Sequence, residues 1–551
     1  MNPAVGIDLG TTNTVIAVQT DKFAPKILTV KQPVATRDAF EERSEIKSAV
    51  YFESPSSVVV GQFAADRPDG IRSIKSKMGT RWRIRNEQLG GPLLGRGRPN
   101  YLTPAYISAH ILKLAYDTVR SQFPEWDSSA VITVPAAFNT DQRADTLKAA
   151  RYAGFKNVDL LDEPTAAFYT YFDQYRDSDE FAKATTVLVF DFGGGTLDVS
   201  IIRVTPLPDG VSIDAFGRSR FNDLGGDDID LDLAVTMLAL WEAETGVKVD
   251  EIPESLRRRV YRRFIQAAGA YKERVEERIK YDMPPDDFFL AETITDGKEK
   301  LDVKMSVTLS RAQYDLVAGQ FLDNKREVNI FRPIEQAVSL ASQIDPSFTK
   351  NSIDLVLFTG GASQMSGVKA ALEAYFAPTP CLPVGDDGAA CRTVALGAAS
   401  FRYDQLNRKA GVRMTKRTLE AILTRPSPTG DYLVLVPVTA EQSPEFKPIE
   451  HRFLMPSDQV RVRIPLFRGT GPLDHQLSPI RDVVLDLPHL VAEDTAFQLS
   501  YRVSADKTID LEAVFESDEP IAPVRGSAPL DNDEAEVAGA LSLYPINRKG
   551  D

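Results

Sequence analysis

The apolar residues of this chain fall into short runs that are separated by longer amphipathic stretches. Runs at residues 48–52, 131–134 and 158–161 predict buried strands, whereas the stretches at 103–123 and 140–152 carry apolar residues on one helical face. Strand and helix patterns keep alternating to about residue 400. This alternation is typical of an α/β domain, which we assign to residues 1–401.

The hydrophobic pattern changes beyond residue 402. Residues 402–425 are polar and basic, which indicates a linker or a short helix at a domain boundary. Apolar and polar residues then alternate with a period of two, for example at 460–464 and 497–503, and predict a small antiparallel β domain over residues 426–517. Residues 518–551 are rich in proline, glycine and acid, so we expect a flexible acidic tail.

The stretch at residues 187–202 joins an apolar run, Asp191, three glycines and Thr196 to a second strand that Asp198 opens. It predicts a β-hairpin whose tip exposes backbone N–H groups, because three consecutive glycines place no side chain between the backbone and an anion. Such a tip could bind a phosphate. Because the acids beside it cannot contact a phosphate directly, a divalent metal or water would have to lie between the acids and the phosphate. Considered alone, an ordinary glycine turn between two strands is an equally good interpretation.

The opening segment, residues 5–18, repeats this plan with an apolar strand, Asp8, a glycine, small hydroxyl residues and a second apolar strand. Two copies of one unit, about 180 residues apart, indicate a duplicated α/β domain in which two phosphate-binding hairpins face each other across a cleft. Further glycine pairs precede a helical stretch near residue 225 and follow an apolar strand near residue 360, and they indicate another wall of the same pocket.

Composition narrows the function classes. The 551 residues carry a formal net charge of -14 and no lysine/arginine block, which argues against a nucleic-acid partner. Only Cys381 and Cys391 occur, too few for a disulfide framework, so a cytoplasmic location is expected. There is no basic and apolar leader and no apolar run of membrane-spanning length, so we expect neither export nor a membrane partner. The four histidines show no zinc spacing and no triad pattern, so oxygen ligands should hold any metal.

Six short blocks stand in order along residues 4–400. They are Ile-Asp-Leu-Gly-Thr-Thr-Asn at 7–13, Ser-Ile-Lys-Ser-Lys-Met-Gly at 73–79, Val-Pro-Ala-Ala-Phe-Asn at 134–139 with Gln142 and Arg143, Asp-Glu-Pro-Thr-Ala-Ala at 162–167, the hairpin at 187–202, and Leu-Gly-Gly-Asp-Asp at 224–228. Together they resemble the seventy-kilodalton heat-shock chaperone family (DnaK-type), a branch of the actin-fold ATPases. Actin-like filament proteins and sugar kinases share the paired hairpins but lack the second and fourth blocks. The resemblance implies a duplicated actin-like (ribonuclease H-like) ATPase domain with a nucleotide cleft, followed by a small antiparallel β-sandwich that it covers only loosely.

The resemblance also implies ATP or ADP and Mg²⁺ as cofactors. Asp8 and Asp191, one on each hairpin, are expected to hold a hydrated Mg²⁺. The family pattern makes four residues catalytic, the first to reach the γ-phosphate and the others to orient the attacking water: Lys75, Glu163, Thr196 and Asp198. The residues expected to bind the nucleotide are Gly10, Thr11, Thr12, Asn13, Gly193, Gly194, Gly195, Gly225, Gly226, Lys272, Gly360, Gly361 and Gln364. Pro135 and Arg143 would relay the nucleotide state to the neighbouring domain.

Several of these residues also have ordinary structural interpretations. Lys75 alone would be a solvated surface lysine, and Glu163 a first-turn acid that the helix dipole favours. Only the order and spacing of the blocks favours the functional interpretation for these two. Pro135 could simply end a strand and Arg143 could lie on a helix surface, and for this pair both interpretations stay open.

Other positions depart from the family pattern. Gln364 stands where the family usually has an arginine that stacks on adenine, while Gly269, Glu273 and Glu276 stand where it places an acid, an arginine and a serine. We therefore expect altered contacts to adenine and a lower affinity for the nucleotide. The short linker of leucines between acids is missing, which predicts altered coupling and J-domain docking. We also expect no helical lid over bound peptide, so peptide should leave faster.

The sequence favours an ATP-dependent chaperone whose β domain binds extended apolar polypeptide segments under the control of slow ATP hydrolysis. Its implied partners are unfolded polypeptides or a dedicated client, a J-domain co-chaperone and a nucleotide exchange factor. The alternative is a nucleotide-gated adaptor or regulatory protein that binds one dedicated partner, which the changed linker, lid and adenine wall favour. A polymerising actin-like protein is a more distant third.

Overall fold

The computed structural model describes residues 2–529 apart from a set of short segments. The segments left out within this range are residues 22, 35, 37–38, 55–56, 68, 81, 86–100, 139, 176–180, 182, 208–209, 220–223, 285, 297–300, 385–391, 408–411, 416–420, 425–432, 437–444, 456–458, 470–477, 480–481, 504–507 and 518–519. Asn139, Cys391 and the tail from residue 530 onward therefore lie outside the described residues.

The first part of the chain folds around the opening hairpin. Its elements are β1 (Ala4–Leu9), β2 (Asn13–Gln19), β3 (Lys26–Ile27), β4 (Val30–Pro33), β5 (Phe40–Arg43), β6 (Ile46–Lys47), β7 (Val50–Ser54), β8 (Ser57–Val60), α1 (Gln62–Asp66), β9 (Ile84–Arg85), β10 (Tyr101–Leu102), α2 (Pro104–Gln122), β11 (Ser129–Val134), α3 (Thr140–Ala153), β12 (Asn157–Asp162) and α4 (Glu163–Tyr175). The main sheet has the order β12-β11-β1-β2-β3, with β6 also paired to β2.

The second part folds around the central hairpin. Its elements are β13 (Thr185–Phe192), β14 (Leu197–Leu207), β15 (Gly210–Arg218), α5 (Gly226–Thr245), α6 (Glu254–Lys280), β16 (Phe288–Asp296), β17 (Leu301–Leu309), α7 (Arg311–Gln320), α8 (Phe331–Ile344), β18 (Leu355–Thr359), α9 (Ser366–Phe376), β19 (Cys381–Pro383), α10 (Thr393–Asn407) and β20 (Val412–Thr415). The main sheet has the order β19-β18-β13-β14-β15-β20. Both α10 and β20 reach into the range assigned to a linker, and β20 pairs in parallel with β15.

The two sheets share one plan, as the repeated sequence pattern predicts. Each begins with an antiparallel hairpin, β1 with β2 or β13 with β14, and adds a parallel strand, β11 or β18, beside the first strand of that hairpin. Strands β1 and β13 are continuous apolar runs because both faces of each strand are covered. In each of them only the acid, Asp8 or Asp191, keeps some exposure.

The predicted helices at residues 103–123 and 140–152 are confirmed as α2 and α3. The Thr103 hydroxyl accepts a hydrogen bond from the N–H of Tyr106 (3.2 Å) and so caps α2, while Gly154 takes a φ of 107° directly after α3. None of the helices in the described ranges combines the length and the apolar character needed to cross a membrane.

Helix α10 holds the two parts together at backbone contact. A Cβ at Gly6 on β1 would lie 2.3 Å from the backbone N of Ala399, and a Cβ at Gly397 would lie 1.8 Å from the carbonyl oxygen of Ala166 on α4. Both neighbours are backbone atoms that cannot move aside, so only glycine fits at these positions. Helix α10 therefore fixes β1 beside α4, the two elements that carry Asp8 and Glu163.

The remaining strands form a β-rich region with its own core. They are β21 (Ala421–Thr424), β22 (Leu433–Val436), β23 (Lys447–Leu454), β24 (Gln459–Ile464), β25 (Leu466–Gly469), β26 (Ser478–Pro479), β27 (Val483–Val491), β28 (Ala496–Val503), β29 (Thr508–Phe515) and β30 (Val524–Pro529). They pair as β22-β21-β25-β26, β23-β28-β29-β30 and β24-β27, all antiparallel. The predicted antiparallel β pattern is confirmed, whereas the two-layer sandwich stays a prediction. Strand β30 falls in the range expected to be a flexible tail, so paired structure extends to Pro529.

Candidate functional site

The tip of the first hairpin, residues 10–13, is held by Ser48. The Ser48 hydroxyl donates to the carbonyl of Gly10 (2.7 Å), and its backbone N–H donates to the carbonyl of Thr12 (2.8 Å). A Cβ at Gly10 would lie 2.2 Å from the carbonyl oxygen of Asn13, so glycine is required there. The sequence does not predict this role of Ser48, because its partner Gly10 lies 38 positions away and no local pattern indicates the contact.

The tip of the second hairpin is tied to the start of helix α5. The N–H of Gly193 donates to the carbonyl of Thr196 (2.9 Å) and closes the turn. The N–H groups of Gly226 and Asp227 donate to the carbonyls of Gly193 (3.0 Å) and Gly194 (2.7 Å). The glycines predicted at 193–195 and at 225–226 therefore lie in direct backbone contact.

The two tips lie against each other, as the duplicated plan predicts. A Cβ at Gly194 would be 2.8 Å from the Thr12 hydroxyl, and a Cβ at Gly195 would be 3.2 Å from Cγ2 of Thr11. The side-chain oxygen of Asn13 is buried at this end of the hairpin with no hydrogen-bond partner among the described residues. A buried polar atom left without a partner fits a site that a ligand completes.

Four carboxylates and one lysine meet beside these tips. Asp191 and Asp198 are direct cross-strand partners on β13 and β14, and Asp8 accepts a hydrogen bond from the hydroxyl of Thr133 (3.1 Å) on β11. Lys75 forms an ion pair with Glu163, and their side chains are only 6% and 9% exposed. The structure thus brings together the residues that the sequence assigned to catalysis and to the metal.

Burial and mutual repulsion raise the pKa values of the aspartates. Burial, followed by the charge of Glu163, raises the pKa of Asp8 to about 7, although the Lys75 ammonium opposes this. The same two causes raise the pKa of Asp198 to about 7 and the pKa of Asp191 well above its usual value. Burial by itself lowers the pKa of Lys75, but the facing carboxylates outweigh burial, so the net pKa is raised and the ammonium stays charged.

Lys75 reaches the cluster from a short 3-10 helix, Ile74–Lys77, which Ser73 precedes with a φ of 52°. Its Nζ also lies 5.8 Å from the ring centroid of Phe138. A buried, paired lysine is not the solvated surface lysine that this position would suggest on its own. Glu163 is the first residue of α4, where the helix dipole favours an acid, and it is buried as well.

The two hairpin tips form two walls of the site, and the turn at Gly360, which follows β18, forms a third wall. Gly360 has a φ of 85°, and a Cβ there would lie 2.6 Å from Oδ1 of Asp191, so this turn touches the acid that is expected from the sequence to hold Mg²⁺. The ammonium of Lys272 on α6 donates to the carbonyl of Gly226 (2.8 Å) and pairs with Asp230 (2.7 Å). Asp230 was not expected, but it lies over Gly269, where a Cβ would be 3.1 Å from its Oδ2. Asp230 of α5 thus places a carboxylate beside position 269, where the family pattern has an acid.

The departures near the expected adenine wall have distinct surroundings. Gln364 is exposed, and its Nε2 lies 3.4 Å from the Ser363 hydroxyl. Glu276 on α6 is engaged, since Tyr314 on α7 donates to its Oε1 (2.7 Å) and the N–H of Ser366 donates to its Oε2 (2.8 Å). Glu276 therefore fastens the start of α9 to α6, which a serine at this position is too short to do.

Pro135 lies directly after β11, and Arg143 lies in the first turn of α3. Arg143 donates to the carbonyls of Phe138 (2.9 Å) and Ala136 (3.2 Å) and to the carboxylate of Asp162 (2.7 Å). The N–H of Phe138 donates to the carbonyl of Pro135 (3.0 Å). Arg143 is thus tied to the residue immediately before Glu163, and is more than a solvated helix-surface arginine.

The donor set fits a hydrated divalent cation. No three histidine, cysteine or acidic side chains in the described part of the chain are grouped closely enough to hold one ion directly. Mg²⁺ usually keeps several waters and binds proteins through one or two carboxylates. Burial, followed by the charges of neighbouring acids, raises the pKa values of Asp8 and Asp191, and a bound cation would offset both effects.

The duplicated sheets, the facing glycine tips and the buried acids agree with the duplicated actin-like fold that the sequence predicts. The family model described as Hsp70 protein matches residues 4–403, well over half of the chain, so this chain belongs to the Hsp70 family. It is similar to the chaperone protein dnaK of Cyanidioschyzon merolae (strain NIES-3377 / 10D), with 29% identity over 417 residues. That match covers 72% of this chain and 61% of the relative. The resemblance expected from the six sequence blocks is thereby confirmed.

Proposed function

We propose that this chain is an ATP-dependent molecular chaperone of the Hsp70 type that hydrolyses ATP slowly to ADP and phosphate. The observation that carries the proposal is the buried cluster of Lys75, Glu163 and three aspartates beside two facing glycine tips. Phosphoryl transfer needs neutralised charge on the phosphates and an oriented water, with little covalent work by the protein. This cluster can supply both.

In the proposed mechanism the two glycine tips bind the phosphates through backbone N–H groups, with the hydroxyls of Thr11 and Thr12 as further donors. The ammonium of Lys75, held charged by its carboxylate neighbours, stabilises the γ-phosphate and the water beside it. Thr196 donates to Asp198, both side chains orient the attacking water, and the carboxylate of Asp198 accepts the proton that the water loses. A hydrated Mg²⁺ at Asp8 and Asp191 would neutralise charge that develops on the phosphate oxygens.

The nucleoside would lie along the third wall. Lys272 with the glycines at 225–226 and 360–361 surrounds this place, and Gln364 is proposed to contact the base in place of an arginine. Asp230 supplies a carboxylate beside Lys272 (2.7 Å). We expect ATP and ADP to bind here more weakly than in a site with a stacking arginine, since glutamine has no cationic face to offer the base.

The β-rich region is proposed to bind extended apolar segments of unfolded polypeptides by strand addition. The similarity to a protein named as a chaperone supports this assignment, and a J-domain co-chaperone, a nucleotide exchange factor and a cytoplasmic location belong to the same proposal.

The domain boundaries at 1–401, 402–425 and 426–517 are part of the proposal. The relay of the nucleotide state through Pro135 and Arg143 is part of it as well. An adaptor that binds one dedicated partner is the second candidate, because Glu276 and Gln364 alter the base wall.

Calorimetric titration with ATP and ADP, with and without Mg²⁺, tests nucleotide binding directly. Turnover is then compared in Thr196→Ala, Lys75→Ala and the control Lys77→Ala, an exposed lysine of the same 3-10 helix. We expect the first two to bind ATP and to lose hydrolysis, and the control to behave as wild type. Unchanged turnover in both site variants would overturn the assigned roles. Binding to a peptide array separates a general chaperone, which recognises many apolar segments, from an adaptor that recognises one.

A further inference from the structure

Arg218 links the second sheet to the first. It is the last residue of β15, opposite Ser200 of β14, and is 9% exposed. Its Nη1 donates a hydrogen bond to the carbonyl of Ala136, in the turn that follows β11 of the first sheet. The guanidinium therefore spans from one sheet to a loop of the other.

The carbonyl of Ala136 is shared with Arg143. Arg143 Nη2 lies 3.2 Å from that carbonyl oxygen, and its Nε donates to the carbonyl of Phe138 (2.9 Å). Two guanidinium groups, one from each half of the duplicated domain, thus hold one short turn. A guanidinium is planar and always charged, so two of them can fix the direction of backbone carbonyls that would otherwise rotate with the loop.

This turn adjoins both members of the buried ion pair. The ring of Phe138 lies 5.8 Å from the Nζ of Lys75. Arg143 also holds Asp162, the residue directly before Glu163, at 2.7 Å. A shift of the turn would therefore move a neighbour of Lys75 on one side and the backbone that carries Glu163 on the other.

Arg218 is connected through Ser219 to the strand that carries Asp198. The next residue, Ser219, donates its N–H to the carbonyl of Val199 (2.6 Å), and its hydroxyl accepts from the N–H of Val199 (2.9 Å). Val199 directly follows Asp198 on β14. The strand that carries Asp198 is thereby tied, through Ser219 and Arg218, to the turn that packs against Lys75.

We propose that Arg218 is a positioning residue for ATP hydrolysis, which sets the geometry of Lys75 and Glu163 relative to Asp198 by fixing the carbonyl of Ala136. The inference rests on the proposed function. Because Arg218 acts through this turn, we expect it to affect the rate of the chemical step and to leave nucleotide binding to the glycine tips. A displacement of catalytic groups by about 1 Å can cost a factor of about 100 in rate.

Single-turnover hydrolysis of ATP by the full chain tests the inference, with ATP affinity measured in parallel. The variants are Arg218→Gln, Arg218→Lys and the control Arg203→Gln, an arginine of neighbouring β14 that contacts Asp345 (3.6 Å) and the ring of Phe216 (3.8 Å). We expect Arg218→Gln to lower the rate about 10- to 100-fold with unchanged ATP affinity. Arg218→Lys should recover part of the rate because the ammonium keeps the charge and can still donate to the carbonyl of Ala136. The control should match wild type.

Two further measurements separate positioning from a general loss of structure. Amide exchange at Phe138, whose N–H donates to Pro135, should become faster in Arg218→Gln, while exchange in the β-rich region stays unchanged. The double variant with Arg143→Gln should lose less than the product of the two single losses, because both residues act through one turn. A folded Arg218→Gln that hydrolyses ATP at the wild-type rate would overturn the inference alone. A wild-type chain without hydrolysis would instead overturn the proposed function, and this inference with it.

Discussion

Lys75 and Glu163 form an ion pair inside the protein, although they come from a short 3-10 helix and from the first turn of a helix 88 positions later. Two buried charges of opposite sign compensate each other, but either one alone would face a desolvation penalty without its partner. The pair therefore contributes to the fold as well as to the proposed chemistry, and the two contributions can be separated by experiment.

Lys75→Ala should destabilise the first part of the chain by about 3–5 kcal/mol, because Glu163 is left buried and unpaired among other acids. The double variant Lys75→Met with Glu163→Gln should recover much of this loss, since no uncompensated charge remains. Urea unfolding followed by tryptophan fluorescence measures both. The matched control is Lys113→Ala, which breaks the exposed pair with Asp117 and should change stability by less than about 1 kcal/mol. Equal effects for Lys75→Ala and Lys113→Ala would contradict the prediction.

Gly225→Ala should disturb the junction of the second hairpin with α5. Gly225 has an extended backbone that any residue can adopt, but a Cβ there would lie 2.2 Å from the carbonyl oxygen of Gly194. A clash with backbone cannot be relieved by a rotamer change, so we expect a loss of about 1–3 kcal/mol and weaker ATP binding. Gly319→Ala on α7 is the control, because nothing lies within 4 Å of its added Cβ and Gly319 is not among the residues assigned to nucleotide binding. Calorimetric titration that finds both variants equal to wild type would refute the steric argument.

His110 should make stability fall as the solution becomes acidic. The ring is fully buried between Phe52 and Tyr106, and burial lowers its pKa from 6.5 to about 3. Between these two pKa values the unfolded chain binds a proton that the folded chain does not. The free energy of unfolding therefore has its full value above pH 6.5 and decreases as the pH falls below it. The expected slope is about 1.4 kcal/mol per pH unit.

Urea unfolding of wild type and His110→Gln at about pH 7.5 and about pH 5.5 measures this dependence. The variant should lose this part of the pH dependence, whereas His451→Gln, which replaces an exposed histidine, should keep it. Parallel pH profiles for wild type and His110→Gln would show that His110 does not carry the effect.

Glu276→Ala should loosen the start of helix α9. The variant leaves the N–H of Ser366 and the hydroxyl of Tyr314 without their acceptor, for which we expect a cost of about 1–3 kcal/mol. Amide exchange at Ser366 should rise in Glu276→Ala. Tyr314→Phe is the control, because it removes one donor and keeps the bond from Ser366 to the carboxylate. Protection of Ser366 that survives in Glu276→Ala would argue against the clamp.

Much of the site could be predicted because its parts are local patterns. A strand, an acid and glycines identify each hairpin, and the repetition of the pattern predicts that the hairpins face each other. The Lys75 block and the Glu163 block were recognisable only through family resemblance, because a lysine or a first-turn acid has no local signal of its own. Gln364 and Glu276 stand out in the sequence as departures from the family pattern, but the sequence does not predict which residues contact them.

The two glycine hairpins, the alternating α/β pattern and the period-two strands after residue 426 can be predicted from the amino-acid sequence, because each depends on neighbours along the chain. Three contacts become visible only in the folded chain: Ser48 holds the first tip, Asp230 lies over Gly269, and Arg218 shares a carbonyl with Arg143. These contacts join residues far apart in sequence. Their geometry depends on how the sheets and helices pack, and no local pattern of apolar and polar residues encodes that packing.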